Sequence, residues 1–167
     1  FRVERLHELR YRPIDGDWSA IMRQLAAQRH VGAVVGPHGT GKTTLFIELR
    51  DRLVRDGFRV RHLRLNMDAM RGATREALTL LDDVDGNTLI MLDGADLLGR
   101  IGWWRVRQRW KRSGAAGLLI TSHRTGLLPT LAHTTGTLPL TMTLVSELVG
   151  EDAAESLRPR VASLFDE

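Results

Sequence analysis

The chain has 167 residues, 43% apolar and 26% charged, ordinary values for a soluble globular protein and enough to bury a core without metals or disulfides. It contains no cysteine, which excludes a disulfide framework, a thiol redox pair and a thiolate zinc site. The net charge is +4, and lysine occurs only at Lys42 and Lys111, so arginine carries the basic excess. Such a balance suits an anionic partner, nucleotide or nucleic acid, although a general enrichment in arginine produces it too.

No apolar run reaches the length of a membrane span, and the charged start at residues 1–5 has no signal-peptide pattern, so the expected location is cytoplasmic. A charged arm ends at Arg12-Pro13, where proline stops any helix. Asp15-Gly16-Asp17 reads as a turn and cap. The apolar positions Trp18, Ile21, Met22, Leu25 and Ala26 then predict an amphipathic helix over residues 18–29. Residues 31–35 are a short apolar run bounded by glycine, the pattern of a buried strand.

Next comes a glycine-rich loop: Gly36, Pro37, His38, Gly39, Thr40, Gly41, Lys42, Thr43, followed by Thr44. A helix opens at Lys42 and buries Leu45, Phe46, Leu49 and Leu53, ending at Asp56-Gly57. The spacing G-x-x-x-x-G-K-T has a physical purpose. Glycines let the backbone curl so that successive N–H groups point at phosphate oxygens. The helix N-terminus adds its dipole. Lys42 places a charge at the β- and γ-phosphates, and the Thr43 hydroxyl is a Mg²⁺ ligand. The preceding strand and following helix are the context that distinguishes a phosphate site from an accidental glycine turn.

Residues 59–65 alternate polar and apolar, as a half-buried or edge strand does. A helix over residues 67–81 and a turn at residues 82–87 follow. Residues 88–92 form a second buried strand ending at Asp93, a carboxylate at a strand tip that can serve the metal. A helix over residues 103–112 precedes a third buried strand, residues 118–120, which ends in Thr121-Ser122-His123-Arg124. A weaker strand is expected at residues 138–142, and helix over residues 144–164 interrupted by Pro159. The domain reading is an N-terminal arm and helix (1–30), a nucleotide-binding core (31–143) and a C-terminal helical segment (144–167), together one domain. Strands alternating with helices predict a mainly parallel five-stranded sheet in a three-layer α/β/α sandwich. Ligands bind such sheets at the strands' carboxyl ends.

These motifs resemble the additional-strand class of P-loop NTPases, which includes the AAA+, ABC and STAND groups. Residues 36–43 resemble the Walker A motif and residues 89–93 the Walker B motif, and the resemblance covers roughly residues 31–142. It implies ATP and Mg²⁺ as cofactors, with Thr43 and Asp93 on the metal, and ATP hydrolysis or an ATP-driven switch as the activity. No guanine-reading N/T-K-x-D motif is present. Relatives often carry glutamate after the Walker B aspartate, where this chain has Gly94; the nearest acid is Asp96, the candidate base. Thr121, Ser122 and His123 resemble a γ-phosphate sensor, His123 in the manner of the ABC switch histidine, although no LSGGQ signature accompanies it. Arg124 is a candidate charge-stabilising arginine, and His38 occupies a variable loop position. The C-terminal segment is short for an AAA+ lid and no arginine finger is evident, so a partner or an oligomer is expected to supply one.

Two other functions compete. Asp93-Gly94 also begins an adenylate-kinase motif, yet Ala95-Asp96-Leu97 replaces its Phe-Pro-Arg. Strand order separates the classes: in the ATPases a strand lies between the loop strand and the Asp93 strand, and in the kinases these two are neighbours. The third reading is a nucleotide-gated module with little hydrolysis that binds nucleic acid through Arg105, Arg107, Arg109, Lys111 and Arg112. Trp104 interleaves these cations, while Trp103, Val106 and Trp110 face the sheet.

Overall fold

A computed structural model describes residues 18–66, 70–135 and 151–162. The chain divides into two compact units, residues 12–134 and residues 1–11 with 135–167. In the second unit the described element is helix α5 (Glu151–Ala162), which contains Pro159 and an Arg158–Glu155 ion pair one turn apart. The strand expected at residues 138–142 and the arm at residues 1–13 lie outside the described residues.

The first unit runs α1 (Trp18–Ala27), β1 (Val31–Val35), α2 (Lys42–Arg55), β2 (Arg59–Arg64), α3 (Met70–Thr79), β3 (Thr88–Asp93), a 3₁₀ turn (Ala95–Leu98), α4 (Gly99–Ser113), β4 (Gly117–Ser122) and β5 (Thr130–His133). The five strands form one sheet in the order β2-β3-β4-β1-β5, and every pairing is parallel. Position in the sheet explains composition. β3 and β4 are buried along their whole length and are apolar throughout apart from their ends. β2 is an edge strand, exposed at both ends, and can carry Arg59, Arg61 and Arg64.

β4 lies between the loop strand β1 and the Asp93 strand β3, the arrangement of the ATPase class and not of the kinase class. The fifth strand is Thr130–His133, which the sequence pattern does not reveal. It is four residues long and its central pair is Leu131, buried, and Ala132, half-buried. A slip in register between Ala33 and Val34 lets this short strand follow β1.

Helix α1 is tied to the same edge. Leu25 is fully buried, and the Gln24 and Gln28 side-chain amides donate to the Thr130 carbonyl. On the opposite flank α3 and α4 pack closely at Gly102, where a Cβ would sit 2.4 Å from Thr74 Oγ1. Trp103 and Val106 join the core there, with Trp110 partly buried beside them, as the helical spacing predicts. The core of Ile90, Leu92, Leu118, Ile120 and these residues fixes the carboxyl ends of β1, β3 and β4 side by side.

Candidate nucleotide site

The loop from Gly36 to Gly41 joins β1 to α2, and Gly39 (φ 76°) and Gly41 (φ 82°) take left-handed backbone that lets it curl. Gly41 is the N-cap of α2, and no side chain caps the first turn. Its N–H groups are thereby available to an anion. Gly36 meets a different demand. A Cβ there would lie 2.3 Å from both the carbonyl oxygen and the hydroxyl of Thr134. Thr134 is 1% exposed, donates its N–H to the Val35 carbonyl at 2.8 Å, and its hydroxyl lies 2.7 Å from the Thr40 hydroxyl. The Thr40 hydroxyl also bonds the Pro37 carbonyl at 2.9 Å. Thr134 braces the loop from the end of β5, and no local pattern marks it.

Lys42 reaches back across the loop. Its ammonium donates to the carbonyls of Gly36, at 2.7 Å, and Pro37, and lies 3.2 Å from His123 Nδ1. Burial pushes its pKa below the ordinary 10.5, and the carboxylates of Asp93 and Asp96 oppose that shift.

The Thr43 hydroxyl donates to Asp93 Oδ2 at 2.9 Å, and the Thr121 hydroxyl donates to Asp93 Oδ1 at 2.6 Å. Thr121 also accepts the Gly94 N–H at 2.7 Å. It is 1% exposed and joins Asp93 to the turn at Gly94. Arg64 Nε, at the end of β2, stands 3.8 Å from Asp93 Oδ2. Gly94 has φ 90°, and a Cβ there would be 3.3 Å from the Leu65 carbonyl, so the position that holds glutamate in relatives is shaped for glycine.

Asp96 sits on the 3₁₀ turn and faces the end of β4. Its Oδ1 accepts the Ser122 hydroxyl at 2.9 Å and its Oδ2 accepts the His123 N–H at 2.7 Å. The His123 ring stacks on His38, centroids 3.7 Å apart, with Nδ1 3.2 Å from the Gly36 carbonyl. The structure therefore brings together Lys42, Thr43, Asp93, His123 and His38 at the loop, with Thr121 below and Asp96 beside.

The basic helix α4 divides by face. Arg109 is ion-paired with Asp82 at 2.8 Å. Arg105 and Arg112 project on the outer side, at helical positions away from the loop. Arg107 lines a groove of about 870 Å³ that starts at Pro37 and His38 and also includes Arg100 and Arg124. One helical stripe carries Arg100, Trp104, Arg107 and Lys111, with Trp104 61% exposed. Arg100 is absent from the sequence-based set because it precedes the tryptophans and only the fold shows its neighbours.

No protein-family model matches the chain, and no curated protein matches it. Solved structures do. A DNA replication initiation factor aligns at a TM-score of 0.58 and 14% identity, over 88% of this chain and 58% of that one. The replication initiator DnaA bound to AMPPCP and single-stranded DNA aligns at 0.53 and 15% identity, over 84% and 54%. The chain thus spans a little over half the length of these structures, and at such identities the similarity is one of fold. Among the described residues, no helix is long and apolar enough to cross a membrane. Parallel strand order, the glycine loop between β1 and α2, and these neighbours agree on the fold: the chain has the α/β fold of P-loop NTPases, with a mainly parallel five-stranded sheet.

Proposed function

We propose that the chain binds ATP with Mg²⁺ at residues 36–44 and hydrolyses it, either as an ATPase or as an ATP-driven switch. The observation that carries this reading is the chain of contacts Thr43–Asp93–Thr121, set beside Lys42 at the adjoining ends of β1, β3 and β4. Thr43 and Asp93 are oxygen donors 2.9 Å apart, the donor chemistry that a hard Mg²⁺ takes. They would hold the ion, which when bound neutralises charge on the β- and γ-phosphates. The loop's N–H groups and Lys42 grip the phosphates through charge-assisted hydrogen bonds. His123, 3.2 Å from Lys42 Nζ, would meet the terminal phosphate that Lys42 holds. The kinase reading has the strand order against it.

The test is ATP binding and phosphate release with Mg²⁺, comparing wild type with Lys42→Ala. Losing one charge-assisted contact to phosphate costs about 1.5–3 kcal/mol, or roughly 10- to 100-fold in affinity. Phosphate release should fall at least as far. Lys42→Ala binding ATP as wild type does would overturn the proposal.

The α4 stripe favours a second element, a nucleic-acid partner of the nucleotide-bound form. Arg100, Arg107 and Lys111 can track phosphates while Trp104 stacks on a base. One of the structural neighbours is bound to single-stranded DNA. Arg100→Ala with Arg107→Ala should weaken oligonucleotide binding across sequences and lower its salt slope by about 1 per arginine. ATP affinity should hold. Unaltered oligonucleotide binding in the double variant would remove the nucleic-acid partner from the reading.

A further inference from the structure

We infer that Asp96 is a positioning residue for His123. The inference rests on the ATP-binding reading above and deepens it. Each Asp96 oxygen accepts a hydrogen bond, Oδ1 from the Ser122 hydroxyl at 2.9 Å and Oδ2 from the His123 N–H at 2.7 Å. Both partners belong to the end of β4, so the carboxylate grips that end from two sides.

What it grips is the phosphate loop's wall. The Ser122 carbonyl accepts the Gly36 N–H at 3.2 Å, and Ser122 Oγ accepts the Arg124 N–H at 2.9 Å. His123 Nδ1 lies 3.2 Å from the Gly36 carbonyl and 3.2 Å from Lys42 Nζ, and the ring stacks on His38. Past Ser122 the backbone leaves the sheet ladder, and residues 123–124 enter a run of bends. Asp96 supplies the fixing that the ladder no longer gives. With Asp96 gone, the His123 ring loses the anchor that holds it over Lys42, and its contact with the terminal phosphate loosens.

A double-mutant cycle tests this, using Asp96→Ala, His123→Ala and both together. The readouts are the ratio of ATP to ADP affinity and the rate of phosphate release. Positioning through His123 predicts that each single variant lowers the ATP:ADP preference by a similar factor, on the order of tenfold. The double variant should then be no worse than His123→Ala alone. Asp96→Asn keeps one acceptor and should fall between wild type and Asp96→Ala. A base would behave otherwise: Asp96→Asn as inactive as Asp96→Ala, the ATP:ADP preference intact, and a further loss of turnover in the His123→Ala background. That pattern would overturn the inference while leaving ATP binding in place. A wild type that binds neither nucleotide would overturn the ATP reading and this inference with it, and one that binds both alike would overturn this inference alone. Thermal melts on each variant separate a folding defect from a site defect.

Discussion

Gly36→Ala should weaken nucleotide binding far more than a side chain added at Gly39. The new Cβ would sit 2.3 Å from the Thr134 carbonyl oxygen and 2.3 Å from its hydroxyl. The hydroxyl can rotate away, but the carbonyl belongs to a backbone pinned by the Thr134 N–H bond to Val35 and by the β1–β5 pairing. The loop must therefore give way by roughly an ångström, because packed interiors do not absorb such an overlap. Displacing a site by that distance costs on the order of a hundredfold. Overpacking should also lower stability by about 1–3 kcal/mol. Calorimetric ATP titration and urea unfolding of the same sample read both effects. Gly39→Asn is the contrast: a Cβ there meets nothing within 4 Å, and asparagine tolerates the left-handed φ of 76°. It should keep most of the stability. Wild-type ATP affinity in Gly36→Ala would show that Thr134 does not brace the loop.

Asp93→Ala should remove the response to Mg²⁺ and weaken the fold together. Asp93 is 5% exposed and accepts the hydroxyls of Thr43 and Thr121. Truncation strands the buried Thr121 hydroxyl, at a cost of about 1–3 kcal/mol. It also leaves Arg64, which approaches Asp93 Oδ2 at 3.8 Å, without its carboxylate. Because Arg64 is well exposed, that loss adds little. Asp93→Asn separates the effects. It keeps the shape and one acceptor, so denaturant unfolding should return toward wild type, while ATP affinity should remain the same with Mg²⁺ as with chelator. A Mg²⁺-strengthened ATP affinity that survives in Asp93→Asn would place the metal on other ligands.

The glycine loop was legible because its demands are local. Glycines at the left-handed positions 39 and 41 and a lysine and threonine at the start of α2 all lie within one contiguous stretch. The central strands were legible for a similar reason. A strand buried on both faces must be apolar at every position, and residues 88–92 and 118–120 are nearly so. Strand β5 was not, since four residues with one fully buried side chain produce no period.

The other features depend on which distant residues the sheet order brings together. Asp96 stood in the sequence as the candidate base three residues beyond Asp93, and only β4 brings Ser122 and His123 against its oxygens. Arg109 looked like part of a basic surface, until the packing of α4 set it against Asp82. Arg100 and Arg124 share a groove with Arg107 only because the turn into α4 and the end of β4 converge beside the loop. By itself the sequence determined the loop, the buried strands and the acid at the tip of β3, because backbone conformation and two-sided burial are written in neighbouring residues. Only the tertiary structure decided what braces Gly36, what Asp96 holds and which arginines line the groove, because hydrogen bonds and ion pairs between residues far apart in the chain are chosen by strand order.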